Sequence, residues 1–321
     1  MSSVQHLQRR KEELQQQYDL LSEKIKRLRN NSVIEAGTSV AFQLDKEIER
    51  FEAERDRLAK QIDNLESERI HIELFRLNYV KQVRLFREFI EEKRIGAFLV
   101  HGLPEHGQIF LLKRLLNAIP DGSVTPPIQF HLSRKASRND IKAFWRELGR
   151  KIGVQDFSLP EIARNVMSQL KNQHVILVFH DVDCTDEDYL QELIREFWLP
   201  LVNSTQEAIY SRNEFFLLMF LVDQDGCVNT WNIAFADEFE TLWEPCTPIR
   251  LPIIDSLSDQ VLVNWMENAI DALPTKVTRK IDYTVKVILE NSEGIPERVF
   301  AEIFGLCGYS WEQGEDRWLK L

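Results

Sequence analysis

The stretch Ala97-Phe98-Leu99-Val100-His101-Gly102-Leu103-Pro104-Glu105-His106-Gly107-Gln108-Ile109-Phe110-Leu111-Leu112 changes character twice. An apolar run ends at Gly102, four residues follow, and Gly107 opens a segment in which Phe110, Leu111, Leu112, Leu115 and Leu116 keep helical spacing. Continuous apolar character predicts a strand buried on both faces, and the two glycines predict a tight loop joining it to a helix.

Strand, glycine loop and helix are the layout of a phosphate-binding P-loop, whose signature is G-x-x-x-x-G-K-[ST]. Gly102 and Gly107 stand at the required spacing, but the next two positions carry Gln108 and Ile109. The signature Lys reaches the β- and γ-phosphates, and the hydroxyl helps to hold Mg²⁺. Gln brings no positive charge, Ile offers no oxygen to a hard cation, and Glu105 adds negative charge where a triphosphate would lie. A plain turn between strand and helix is the competing reading of the two glycines.

Downstream, Ile128–Leu132 reads as a second strand, Val175–Phe179 as a third, Phe215–Val222 as a fourth and Ile249–Ile253 as a fifth. Helical patterns stand between them. One contains Ile141, Phe144, Trp145, Leu148 and Ile152 after a cap at Asn139, another begins at Ser158-Leu159-Pro160-Glu161, and a third runs from Tyr189 to Trp198. Alternation of this kind predicts a parallel, doubly wound sheet with helices on both faces and ligand sites at the carboxyl ends of its strands.

Upstream, Val4, Leu7, Lys11, Leu14, Tyr18, Leu21, Ile25 and Leu28 follow the three–four steps of a heptad seam. Leu44, Ile48, Phe51, Arg55, Leu58, Ile62, Leu65, Arg69 and Ile72 repeat it. Asn30-Asn31-Ser32 reads as the break between them, with Ser32 and Glu35 spaced as a capping box and Gly37-Thr38-Ser39 as a later start. Two such helices joined by a short break predict an antiparallel coiled-coil hairpin, used for docking, for self-association or simply as a spacer. A broader apolar face from Leu77 to Ile90 predicts a further helix leading into the first strand. After the sheet, Leu257–Leu273, Ile281–Leu289 and Val299–Leu306 predict three helices of a lid-like subdomain. The expected division is 1–74, 75–253 and 254–321.

The 40 Lys and Arg against 51 Asp and Glu, a formal charge of −11, argue against nucleic acid as a partner, because phosphate contacts need clustered cations. Arg134, Lys135 and Arg138 form one local basic patch, read as a solvated loop and helix start. No apolar run approaches the roughly 20 residues that span a bilayer, and the N-terminus is too polar for a signal peptide, so a cytoplasmic location without membrane contact is expected. Cys184, Cys227, Cys246 and Cys307 are too scattered for a zinc knuckle or a disulfide framework.

The order of glycine loop, acidic strand end at Phe179-His180-Asp181-Val182-Asp183, further apolar strand and Gly294-Ile295-Pro296 resembles STAND-type P-loop NTPases. With the hairpin and the altered loop, the chain looks most like the inactive STAND proteins of bacterial conflict systems. The resemblance implies that His180 stands where active members place the first, Mg²⁺-supporting Asp, with Asp181 surviving from the pair. It implies a phosphate-sensing Arg near Leu221-Val222-Asp223, where none stands, and a Pro296 packed near a nucleotide base. Gly294-Ile295-Pro296 also reads simply as a helix end, a turn and a Pro at the first position of the next helix.

Gly102, His106, Gly107, Gln108, Ile109, His180, Asp181, Gly294 and Pro296 therefore outline a vestigial nucleotide pocket with no catalytic residue, no metal and no required cofactor. The expected function is a non-catalytic scaffold or adaptor in a signalling or defence assembly, with protein partners. The alternative is a nucleotide-binding sensor or weakly active ATPase, with weak ATP or ADP binding and Lys113 or Arg114 as the substitute cation. A metal site is a further alternative, requiring three of His101, His106, His131 and His180 to converge on one point.

Overall fold

The computed structural model describes residues 3–34, 39–120, 125–133, 141–154, 157–210, 215–239 and 243–311. Five strands, β1 (Ile95–His101), β2 (Ile128–His131), β3 (Val175–His180), β4 (Leu217–Asp223) and β5 (Ile249–Arg250), form one sheet in the order β2-β3-β4-β1-β5. All neighbours are parallel, with His101 opposite Asp223 and His131 opposite His180 in the register. Every residue of β1, β3 and β4 is buried, which is why these strands read as unbroken apolar runs. β5 is two residues long, and just beyond it the Leu251 N–H still bonds the Leu99 carbonyl of β1 at 3.1 Å.

Helices cover both faces of the sheet. On one face Phe98 stacks on Phe220 at 5.6 Å and meets Phe86 and Phe89 of α3 (Val80–Glu92) edge-on at 5.1 and 4.8 Å. On the other, Ala97, Leu99, Leu177, Phe179, Met219 and Leu221 share a core with α5 (Ile141–Lys151), α6 (Leu159–Gln169), α7 (Glu187–Leu193) and α8 (Leu199–Tyr210). α4 (Gln108–Leu116) follows the glycine loop. The expected helix from Tyr189 to Trp198 is α7 followed by a π-helical stretch, Ile194–Trp198, that runs on into α8. Pro200 explains the widening, since it cannot donate to the carbonyl one turn earlier.

Two compact units divide the chain. One contains 78–261, 285–303 and 310–321; the other contains 1–77, 262–284 and 304–309. Helices α9 (Asp259–Asn268), α11 (Ile281–Ser292) and α12 (Pro296–Cys307) run through both, and α10 (Thr275–Thr278) lies in the second.

In the second unit α1 (Ser3–Ile34) and α2 (Ser39–Leu74) pair along their lengths. Gln8 meets Arg69, Lys11 meets Glu66, Arg29 meets Glu52 and Ser32 meets Asp45, so contacts rise along one helix as they fall along the other. Leu14, Ile25, Ile48 and Ile62 are buried between them. Trp265 Nε1 donates to the Glu73 carbonyl at 2.8 Å, and His71 lies 4.5 Å from the Phe304 ring.

Three expectations are corrected. Asn30-Asn31-Ser32 does not break α1, which continues to Ile34. Ser32 Oγ bonds Asp45 at 2.7 Å, so tertiary pairing overrides weak local propensity. The helix expected from Leu77 begins at Val80, because Asn78 and Tyr79 adopt left-handed backbone with φ of 69° and 62°. The helix expected from Leu257 to Leu273 is α9 alone, ending at Asn268. Glu35, Gly37, Thr38, the basic patch and the Asn139 cap lie outside the described residues.

Candidate functional site

The loop after β1 is closed on itself. Gln108, the first residue of α4, is fully buried, and its Nε2 donates to the carbonyls of Gly102 at 2.9 Å, Leu103 at 3.0 Å and Gln224 at 3.1 Å. Its amide thus ties both ends of the loop to the loop after β4. Gln108 Oε1 is buried without a hydrogen-bond partner among the described residues. Gly107 caps α4 at φ 80°, and a Cβ there would meet the Tyr79 hydroxyl at 2.3 Å. A Cβ on Gly226 would lie 2.7 Å from the Gly102 carbonyl oxygen, so the loop after β4 packs backbone to backbone on this one.

Tyr79, buried on α3's approach, donates its hydroxyl to the carbonyls of Gly107 at 3.2 Å and His106 at 3.4 Å. Burial pushes that phenol well above its usual range, so it stays a donor. Glu105, at φ 62°, pairs through its carboxylate with Arg298, and its carbonyl accepts from the Glu297 N–H at 3.1 Å. His106 Nδ1 donates to the Pro104 carbonyl at 3.0 Å, and its Nε2 meets Ser256 Oγ at 3.4 Å. Ile109, next along α4, is partly buried.

At the neighbouring strand ends, His180 is buried and stacks on His131 with ring centroids 4.6 Å apart. Its Nε2 meets Gln129 Oε1 at 3.1 Å and therefore carries a hydrogen. Burial first, then the neighbouring His131, pushes His180 down to about 4, so it is neutral near pH 7. Asp181, left-handed at φ 59°, accepts from Ser133 Oγ at 2.6 Å. Asp183 accepts from the Gln224 N–H at 2.7 Å, which links this strand end to Gln108 through Gln224. Asp223 is fully buried and accepts from Gly226 N at 2.7 Å and Val228 N at 3.0 Å; burial pushes it up to about 6.

Gly102, His106, Gly107 and Gln108 therefore form one loop. Pro296 stands beside it, next to Glu297, which bonds Glu105. His180 and Asp181 instead bond side chains near β2. Gly294, at φ 74°, accepts from Leu257 N at 2.7 Å, and Pro296 is the first residue of α12. The helix-end and Pro-start reading accounts for both. Arg114 donates to the Asn78 carbonyl, and burial pushes Lys113 down to about 8. The histidine convergence does not occur: His101 Nε2 meets the Leu251 carbonyl at 2.8 Å, and no cluster of three metal-ligating side chains exists among the described residues.

Tyr79, Asp223 and Arg298 hold this region, yet the sequence flags none of them as site residues. Tyr79 reads as one more apolar helix position, and Arg298 lies far from the loop in the chain. Only Asp223, buried at a strand end, carries a readable signal.

The fold and the loop define a parallel α/β domain whose strand-end loop is closed by its own side chains. Residues 74–222, just under half of the chain, match the model of the family described as inactive STAND. No curated protein gives a significant sequence match. No described helix is long and apolar enough to cross a membrane, and the four cysteines are free thiols.

Proposed function

We propose that the protein is a non-catalytic scaffold or adaptor in a bacterial signalling or defence assembly. Its degenerate P-loop-like domain serves protein contact, and the antiparallel coiled-coil hairpin of residues 1–74 serves docking or self-association. The observation that carries this reading is Gln108: a neutral amide stands at the position of the phosphate-binding cation and is spent on the loop's own carbonyls. The surroundings agree. Glu105 and Asp223 place carboxylates at the loop, His180 is neutral, and neither Ile109 nor His180 offers an oxygen at the two positions where the resemblance expects Mg²⁺ support. The inactive-family match of residues 74–222 supports the same reading.

For docking, the support is apolar surface at the C-terminal end of α1 and the N-terminal end of α2. Val33, Ile34 and Phe42 are 77%, 78% and 63% exposed, more than solvated helix ends require. Sedimentation of the full chain over a wide concentration range separates self-association from a monomer that docks to another protein.

Calorimetric titration of the full chain with ATP and ADP, with and without Mg²⁺, tests the site. No heat and no thermal shift are expected. Binding indifferent to Mg²⁺ would instead make the domain a nucleotide sensor, and Mg²⁺-dependent binding would overturn the reading of Gln108, Ile109 and His180.

A further inference from the structure

Among the described residues, five that are not glycine have left-handed backbone: Asn78, Tyr79, Glu105, Asp181 and Glu293. Asn78 and Tyr79 are consecutive, and a bulky residue in this region is an outlier that its surroundings must hold in place. Tyr79 is held by its hydroxyl on the Gly107 and His106 carbonyls, and Asn78 by Arg114 on its carbonyl. Glu105 is held from another direction, by the Glu297 N–H and the Arg298 guanidinium at the start of α12. Glu293 lies in the turn that sets where α12 begins.

Both holding segments continue into the helical unit. The chain passes out of that unit between Leu77 and Asn78, and α12 passes into it between Ile303 and Phe304. Three consecutive loop residues, Glu105, His106 and Gly107, thus receive contacts from two chain segments that lead there.

We propose that the glycine loop is a mechanical coupler: through Tyr79 and through Glu297 and Arg298 it holds together the two segments that continue into the helical unit. A change in either segment then alters the loop and, through it, the other. This deepens the scaffold reading and rests on it in one respect only, that the loop serves the chain itself instead of a nucleotide. By linkage, the influence of one segment on the other is reciprocal.

Amide hydrogen exchange on the full chain tests it, without nucleotide, so that its outcome is separate from that of the titration above. The variants are Tyr79→Phe, which keeps the ring, and Arg298→Ala, with Glu105→Gln as a milder third that removes charge and keeps shape. Three amides report: Leu111, bonded to the Gly107 carbonyl; Val83, bonded to the Tyr79 carbonyl; and Val299, bonded to the Ile295 carbonyl. Y79F is expected to speed exchange about tenfold at Leu111 and also at Val299, in the other segment. R298A and E105Q are expected to speed exchange at Val83 as well as at Val299. Acceleration confined to amides beside each substitution overturns the proposal. So does a uniform acceleration matching that of the β3 and β4 amides, which would report only lost global stability.

Discussion

The side-chain amide of Gln108 sits 2.9 Å from the carbonyl oxygen of Gly102, the residue that closes the first strand. A neutral donor here joins the two ends of the loop. Its fully buried position, with further bonds to Leu103 and Gln224, makes the contact structural in effect.

Gln108→Leu removes the donor while roughly keeping volume and takes a hydrogen bond from the buried Gly102 carbonyl, whereas the Leu103 carbonyl keeps its bond from the His106 N–H. A loss of about 1–3 kcal/mol is expected by urea denaturation, because unsatisfied buried groups carry their full desolvation cost. Gln108→Lys restores the P-loop cation but not the oxygen ligands absent at Ile109 and His180. No Mg²⁺-dependent ATP hydrolysis is expected from it, and measurable turnover by that single variant would contradict the site assignment.

Gly107→Ala forces a side chain into left-handed backbone, about 1–2 kcal/mol, and against the Tyr79 hydroxyl. In a Tyr79→Phe background the 2.3 Å contact is gone, the residue-79 ring comes no closer than Cζ at 3.5 Å, and the contact with Phe110 Cδ2 at 3.2 Å remains in both backgrounds. The substitution should therefore cost less in Y79F than in the parent, and a double-mutant cycle measures the difference. Equal costs in both backgrounds would show that the hydroxyl does not press on Gly107.

Asp223 and His180 pull stability in opposite directions over one pH window. Asp223, raised to about 6, holds its proton in the folded state over pH 4–6 when the unfolded chain has released it, so its contribution falls as pH rises. His180, lowered to about 4, is neutral in the folded state while the unfolded chain stays protonated up to about 6.5, so its contribution rises with pH. Each is on the order of 3 kcal/mol, and the two largely cancel. Asp223→Asn should unmask a rising stability between pH 4 and 6, and His180→Phe a falling one. Identical pH profiles in the parent and both variants would refute the assignment.

In the helix pair, Ile25 is 2% exposed whereas Leu20 is 68% exposed. Ile25→Ala is expected to cost about 2–4 kcal/mol and Leu20→Ala close to nothing, read from thermal unfolding of the full chain. A large loss at Leu20 would mean that this residue is covered by a second copy in solution.

Much of the sheet was legible. Ile95–His101, Val175–His180 and Leu217–Asp223 are buried on both faces, so burial demanded apolar residues at every position and left an unmistakable run. In the loop the sequence shows only that Gln108 and Ile109 differ in charge and oxygen content from the Lys and Ser/Thr of the P-loop signature. The end of α1 was not legible: Asn30 and Asn31 have the propensity of a break, and only the contacts of Arg29 and Ser32 with α2 carry the helix past them.

Local composition by itself determined the alternating α/β plan and the two long N-terminal helices, because each follows from the nature and spacing of neighbouring residues. Tertiary structure alone decided what fills the loop. Tyr79, Gln224, Ser256 and Arg298 reach it from four separate parts of the chain. A hydrogen bond between residues so far apart leaves no periodicity in either segment, so the partners emerge only once the strands have set their ends side by side.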